Sequence, residues 1–330
     1  MRNSADIRKI NKNKILRILW GGGGYTKQQI AGITGLSVAT CNTLLNELLD
    51  AGEVIGEKSR VAEVGRSTTR YEIDERFESI LCLTFDMVNG QRKLTWWLLS
   101  MLGNVTASNT IDFDLLTIDT LKNQITDIFQ SYQNISVTVV GTPSIVEHGI
   151  IRHCDIPELE GLALVDHLSN QFGIPVLMEN DMHLKAFGFY MMQETSDSVV
   201  TLGNFPAHVL PGTASVHGGT ILKGANQFAG MVEFLPYGIQ RDEYLAQLNP
   251  KESLPLIEKA VIAIIALVNP EIIVFTGDLI NQEKLHTIQE NCQQHIPNEY
   301  IPCFQYQENM DHYYLEGMYQ QALIQKGEIL

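Results

Sequence analysis

Between Thr26 and Val54 the chain reads TKQQIAGITGLSVATCNTLLNELLDAGEV. Ile30, Ala31 and Ile33 close one short helical pattern, which Thr34-Gly35-Leu36 interrupts. Ser37 stands where a second helix needs an N-cap, since its hydroxyl can accept from a free N–H of the first turn. Ala39, Leu44, Leu45, Leu48 and Leu49 then recur at three- and four-residue spacing, which predicts one buried face. The other face carries Thr40, Asn42, Thr43 and Asn46, short polar side chains that can reach base edges or phosphates. Helix, glycine-containing turn, then a helix with a small polar outer face predicts a helix-turn-helix.

The flanks fit this reading. Ile7, Ile10, Ile15, Ile18 and Leu19 form the core face of a preceding helix that also carries Arg8, Lys9, Lys12, Lys14 and Arg17. The run Gly21–Gly24 follows a helix and lacks a Gly-Lys-Ser/Thr ending, so it reads as a connection rather than a phosphate loop. After Ala51-Gly52 a strand begins, and Lys58–Val64 can pair with Ser67–Ile73 as a wing. Gly65-Arg66 lies near its tip, where Arg66 either enters a narrow minor groove or is a solvated hairpin charge. The candidate base contacts are Thr40, Asn42 and Thr43. Ser37 caps its helix and touches phosphate, while Lys12, Lys27 and Arg66 supply charge.

Beyond residue 77 apolar runs and helical patterns alternate. Strands are predicted at Ile80–Asp86, Lys93–Ser100, Ile135–Val140, Pro175–Met178, Val199–Leu202, Thr213–Val216, Thr220–Leu222 and 270–275. Helices are predicted at Leu115–Phe129, Leu162–Phe172, Met182–Met192, Leu256–Val268, Gln282–Cys292 and Tyr313–Gln325. This is an α/β body with mixed sheets.

Charge sharpens the division. The net charge of −15 is not evenly spread: residues 1–70 hold 11 lysines and arginines against 6 acids, and the remainder 12 against 32. A basic head on an acidic body is the asymmetry expected when only the head meets phosphate. No run of eighteen apolar residues suggests a membrane span, and no apolar N-terminal segment suggests a secretory signal. Five scattered cysteines without a C-x-x-C fit a reduced, cytoplasmic protein.

The order of these elements, with the strings ITGLSVATCNTLLNELLDAGEV, GIPVLMENDMHLKAFG, GGTILKGANQFAGMVEF and NPEIIVFTGDLI, resembles the ROK family (repressors, open reading frames and sugar kinases) over essentially the whole chain. The resemblance implies a winged helix-turn-helix at 1–76 joined to a two-lobed, actin-like (ribonuclease H-like) sugar-kinase fold. Its first lobe would be 77–185 plus a C-terminal helix at about 313–330, and its second 186–312. It also implies dimers or tetramers, double-stranded DNA as partner, and a sugar or sugar-phosphate effector.

The family's kinase chemistry is eroded. Its Asp-x-Gly-Gly phosphate string reads Asp86-Met87-Val88-Asn89 here. Its Gly-x-Gly-x-Gly string aligns with Leu210-Pro211-Gly212-Thr213-Ala214, where Pro211 removes a backbone N–H. The family's zinc histidine falls on Phe234 and the cysteine cluster is missing, so neither metal nor cofactor is expected. Asn180 and Asp181 match the family's sugar-binding Asn-Asp pair, and Glu243 aligns with a second sugar-binding glutamate. Other polar anchors become Met231 and Phe234, which points to a changed ligand, such as a less polar or modified sugar. The alternative is that Asn180 and Asp181 only cap the following helix. His183 is expected to be solvated or capping. A non-enzymatic regulator is expected, acting as a repressor of carbohydrate-related genes. A ligand-blind regulator whose body only oligomerises or binds a partner is the alternative.

Overall fold

The computed structural model describes residues 4–59, 68–88, 90–154, 156–193 and 197–327. The head begins with α1 (Ser4–Trp20), followed by β1 (Tyr25–Thr26), α2 (Lys27–Thr34) and α3 (Val38–Ala51). Thr26 and Gln29 form a reciprocal capping box that starts α2, and Gly35, in the left-handed region at φ 70°, ends it. Ser37 caps α3 as expected, accepting from the Thr40 N–H. The buried face of α3 is Cys41, Leu44, Leu45 and Leu48. Ala39 is exposed, contrary to expectation, because the i, i+3, i+4, i+7 stripe starts at Cys41, two residues on. Ile33, counted with the apolar pattern of α2, is exposed too.

Strands β2 (Val54–Ser59) and β3 (Thr68–Ile73) pair antiparallel from Val54↔Ile73 to Ser59↔Thr68, and β1 joins the far side of β3. The wing thus starts four residues earlier than its pattern suggested. Its tip, with Gly65-Arg66, lies outside the described residues.

Two five-stranded sheets follow. The first contains β4 (Ser79–Val88), β5 (Gln91–Ser100), β6 (Val105–Phe113), β7 (Ile135–Thr142) and β10 (Val176–Asn180). Helix α4 (Ile118–Ser131), a hairpin β8 (Ile145–Glu147) and β9 (Ile150–Arg152), and α5 (Leu164–Phe172) lie between its strands in sequence. After α6 (Asp181–Met191) the second sheet contains β11 (Val199–Asn204), β12 (Gly212–His217), β13 (Thr220–Ile221), β14 (Ile272–Thr276) and β15 (Cys303–Tyr306). It is interleaved with α7 (Arg241–Gln247), α8 (Leu254–Val268) and α9 (Gln282–Gln293), and α10 (Asp311–Gln325) closes the described chain.

The sheet orders are β6-β5-β4-β7-β10 and β13-β12-β11-β14-β15. In each, the first strand pairs antiparallel with the second and parallel with the fourth. The body is therefore one topology used twice.

Between the sheets lie α6 and α10. The first packs on β11 and β12, the second on β4 and β7, and the two helices pack on each other. Glycine makes this crossing possible. A Cβ at Gly188 would stand 1.8 Å from the Tyr313 carbonyl oxygen, and one at Gly317 would stand 2.0 Å from that of Leu184. The far end of α10 meets the head: Asn13 Nδ2 donates to the Gly327 carbonyl at 2.6 Å. Trp20 Nε1 and the Tyr319 hydroxyl both donate to the Met101 carbonyl. One apolar cluster accordingly runs from Ile15, Leu45 and Tyr71 of the head to Tyr314, Met318 and Leu323 of α10.

Candidate DNA-binding head and interlobe cleft

On α3 the polar face stands as its spacing demands. Ser37, Thr43 and Asn46 are exposed, and Thr40 and Asn42 half-buried. The Ser37 and Thr40 hydroxyls are 2.8 Å apart, and the Thr43 hydroxyl donates back to the Ala39 carbonyl at 3.2 Å. Lys27 Nζ donates to Asn42 Oδ1, which leaves the two amide N–H groups of Asn42 free to point at base acceptors. Lys27 also lies over the Tyr71 ring at 5.6 Å. Lys12 is differently placed. Its ammonium sits 3.1 Å from Glu47, which Arg8 also holds, so both cations tie α1 to α3 and are compensated within the head. Of the seven DNA-contact candidates, Ser37, Thr40, Asn42, Thr43 and Lys27 come together at the start of α2 and α3. Lys12 lies at the joint behind them, and Arg66 falls outside the described residues.

The ligand candidates divide. Asn180 is the N-cap of α6: its Oδ1 accepts from the N–H of Met182 (2.9 Å) and His183 (3.3 Å), and its Nδ2 donates to the Ser144 carbonyl at 3.0 Å. Asp181 opens α6 and accepts from Lys185 Nζ at 2.6 Å. Glu243 is exposed on α7 and accepts from Gln247 Nε2 at 3.3 Å, one helical turn on. Asn180 and Asp181 are adjacent and half-buried among polar partners, whereas the Glu243 carboxylate faces solvent.

His183 is corrected outright. It is 4% exposed, and its Nδ1 lies 2.7 Å from Glu179 Oε1. Helix α6 packs against α10, β11 and β12, so the position is interior rather than solvated. Glu179 also accepts from its neighbour's N–H at Asn180 (3.0 Å) and, through Oε2, from Lys223 Nζ. Burial works to raise this carboxyl, but His183 and Lys223 outweigh it and hold Glu179 below the usual carboxylate range. Sequence reading missed Glu179 and Lys185, although Asp181–Lys185 has the i, i+4 spacing of facing helical side chains. Glu179 is on β10, and its meeting with His183 depends on the strand-to-helix turn at Asn180.

A cleft of about 400 Å³ opens where α6 and α10 meet the ends of β11, β14 and β15, lined in part by Lys185, Asn204, Thr276, Gly277, Asp278, Tyr306, Glu308 and Asp311. Lys185 is its only cation, and burial alone would lower that ammonium. The charges of Asp181, Asp86 and Asp311 instead hold it above the ordinary lysine value. Asp86, exposed at the end of β4, moves the other way: partial desolvation, then Asp181, raise its carboxyl against the pull of Lys185.

The degenerate phosphate strings have new jobs. Asp86 lies in the β4–β5 ladder, paired with Lys93. Thr213 gives its N–H to the Gly230 carbonyl at 3.2 Å and its hydroxyl to the same oxygen at 2.8 Å. Gly212 pairs with Asn204 in the β11–β12 ladder. A backbone N–H used in this way is not available to cradle phosphate. Phe234 is exposed, its ring 5.1 Å from that of Phe228 and capped by the Arg241 guanidinium at 5.6 Å. These are packing contacts, not ligands for zinc. Among the described residues no group of three or more histidines, cysteines or acids could hold a metal ion, and no helix is long and apolar enough to cross a membrane.

Comparison with known proteins agrees with this anatomy. Residues 8–53 match a family model described as winged helix-turn-helix DNA-binding. An uncharacterized protein of Sinorhizobium fredii, y4fQ, is 20% identical over 226 residues, covering 65% of this chain. The chain spans only 55% of the length of that curated relative. Among solved structures, a ROK family transcriptional regulator, a homolog of the E. coli MLC protein, superposes with a TM-score of 0.72 at 19% identity, covering 98% of this chain and 99% of that one. A ROK family protein from Streptococcus pneumoniae in complex with sucrose gives 0.61 at 14% identity, covering 76% and 99%. ROK hexokinase from Thermus thermophilus gives 0.60 at 13%, again covering 76% and 99%. The regulator is matched over nearly the whole chain, the other two over about three quarters of it. The chain therefore carries a winged helix-turn-helix DNA-binding domain on the fold of the ROK-family transcriptional regulators.

Proposed function

We propose that the protein is a sequence-specific transcriptional regulator of the ROK type, a repressor whose body senses a small carbohydrate derivative and oligomerises. The single observation that carries this reading is α10. It starts at the interlobe cleft with Asp311 and ends against the head at Asn13, so a change between the sheets has a rigid element along which to reach the DNA-binding helices. Residues 1–76 serve as head, 77–185 with the C-terminal helix as one lobe, and 186–312 as the other. Thr40, Asn42 and Thr43 read bases, Ser37 and Lys27 meet phosphate, and Asn180 and Asp181 form the floor of the ligand site.

Sugar phosphorylation is not part of this function. The cleft offers three carboxylates beside one ammonium already paired with Asp181, a poor seat for a triphosphate. An ADP-release assay over a sugar panel tests this: no release above background is expected, and turnover with any sugar would restore the kinase. A thermal-shift panel of sugars, amino sugars and sugar phosphates tests the sensor. A ligand at a hundred times its Kd adds about 2.7 kcal/mol, and the shift should vanish in Asp181→Ala. A flat panel would favour the ligand-blind regulator.

A further inference from the structure

The body has two polar bridges around α6, and only one of them joins the two sheets directly. Lys223 follows β13 in the second sheet, and its ammonium donates to Glu179 at the end of β10 in the first. Glu179 is 9% exposed, and its two oxygens are used unequally. Oε1 meets the Asn180 N–H and His183 Nδ1, partners no more than four residues away along the chain. Oε2 has Lys223.

The segment carrying Lys223 is fixed to its own sheet. Ala229 N–H returns to the Lys223 carbonyl, Leu222 N–H goes to Ser215, and Gly230 at φ 89° sits tight against the Thr213 carbonyl. Lys223 is thus carried by the second sheet as a body, not by a swinging loop.

We infer that the Lys223–Glu179 bridge is an interlobe latch, which holds the two sheets closed over the Asn180–Asp181 floor when no ligand is bound. The physical reason is the asymmetry of removal. Parting the sheets takes Lys223 away and leaves one oxygen of a buried carboxylate without its donor, which costs far more than breaking an exposed ion pair. A ligand or water that offers a donor to Oε2 removes that cost, so the open and closed arrangements are separated by one exchangeable bond. The latch rests on the reading of Asn180 and Asp181 as the floor of a ligand site, whatever that ligand is.

The test reads the distance between the sheets. Spin labels are placed on Cys303, exposed on β15, and on an introduced Asn170→Cys at the exposed end of α5, with Cys154→Ser. Labelled protein is diluted into unlabelled protein, so that only pairs within one chain are read. In Lys223→Met the distance distribution should move to longer values and broaden, while Lys223→Arg should keep that of the parent. Amides of β12 and β13 should exchange about tenfold faster in Lys223→Met. Lys223 is partly exposed, so folding does not depend on it, and circular dichroism of the variant confirms that. If Lys223→Met reproduces the parent distances, the latch is refuted even if exchange quickens, because the bridge is then a local contact. If Lys223→Arg opens the sheets as fully as Lys223→Met, charge at this position is not what closes them, and the inference also fails.

Discussion

Single residues on α3 carry most of what can be tested in the head. Thr40→Ala and Asn42→Ala should each cost about 1–3 kcal/mol at the cognate site and little on random DNA. Equal losses on both, measured by fluorescence anisotropy at fixed salt, would contradict the recognition-helix assignment. The raised carboxyl of Asp86 gives a pH prediction, a small one because the residue is exposed and solvent screens its neighbours. The folded state holds this proton more tightly than the unfolded chain, so stability falls as pH rises from the unfolded carboxylate range up through the folded value. Asp86→Asn should therefore raise Tm at pH 7 and have a smaller effect at pH 3. A variant that lowers Tm at pH 7 would mean that Asp86 is held by a favourable partner instead. At this scale the sequence was informative where chemistry is local. Ser37 as a cap follows from its neighbours alone, whereas the burial of His183 depends on α6 packing against α10 and β12, distant segments that no neighbouring residue announces.

Elements explain why some of the fold was readable and some was not. Helices α4, α5, α8 and α9 have a strong apolar period, and β4, β7, β11 and β14 are apolar runs, so each was located within a few residues. Strand β6 was not recognised, because it is an edge strand exposed on much of both faces and its sequence, VTASNTIDF, has neither an apolar run nor a clean alternation. The short α7 and β15 were missed for want of length. No local pattern encodes the matching strand orders of the two sheets, since these are set by pairing between distant segments. The same limit applies to the glycine crossing of α6 and α10. There Gly317→Ala should destabilise by about 3 kcal/mol, because the new methyl meets backbone that cannot step aside. Gly32→Ala on α2, with nothing within 4 Å of the added carbon, should stabilise by about 0.5–1 kcal/mol through helix propensity. Urea melts of both variants check the pair, and similar losses in the two would remove the case for a close helix crossing.

For the whole molecule, the division of charge, the head's match to a DNA-binding domain and the route from cleft to head along α10 belong to one account. In it the acidic body, duplicated in topology and stripped of its phosphate loops, positions two heads and biases them. The proposed ligand site is the least legible part. Asn180 and Asp181 were found from sequence, but their engagement by Ser144 and Lys185 was not, and Glu243 stands exposed on a separate helix. On the proposed reading the body oligomerises, and two heads would read two half-sites about one or more helical turns apart. The most direct measurement is selection of binding sites from a random-sequence duplex pool by the full-length protein at physiological salt, run beside Thr40→Ala/Asn42→Ala. The account predicts an enriched two-fold symmetric motif that the double variant fails to enrich. A pool that stays random with the parent protein, or the same motif recovered by the variant, would contradict it.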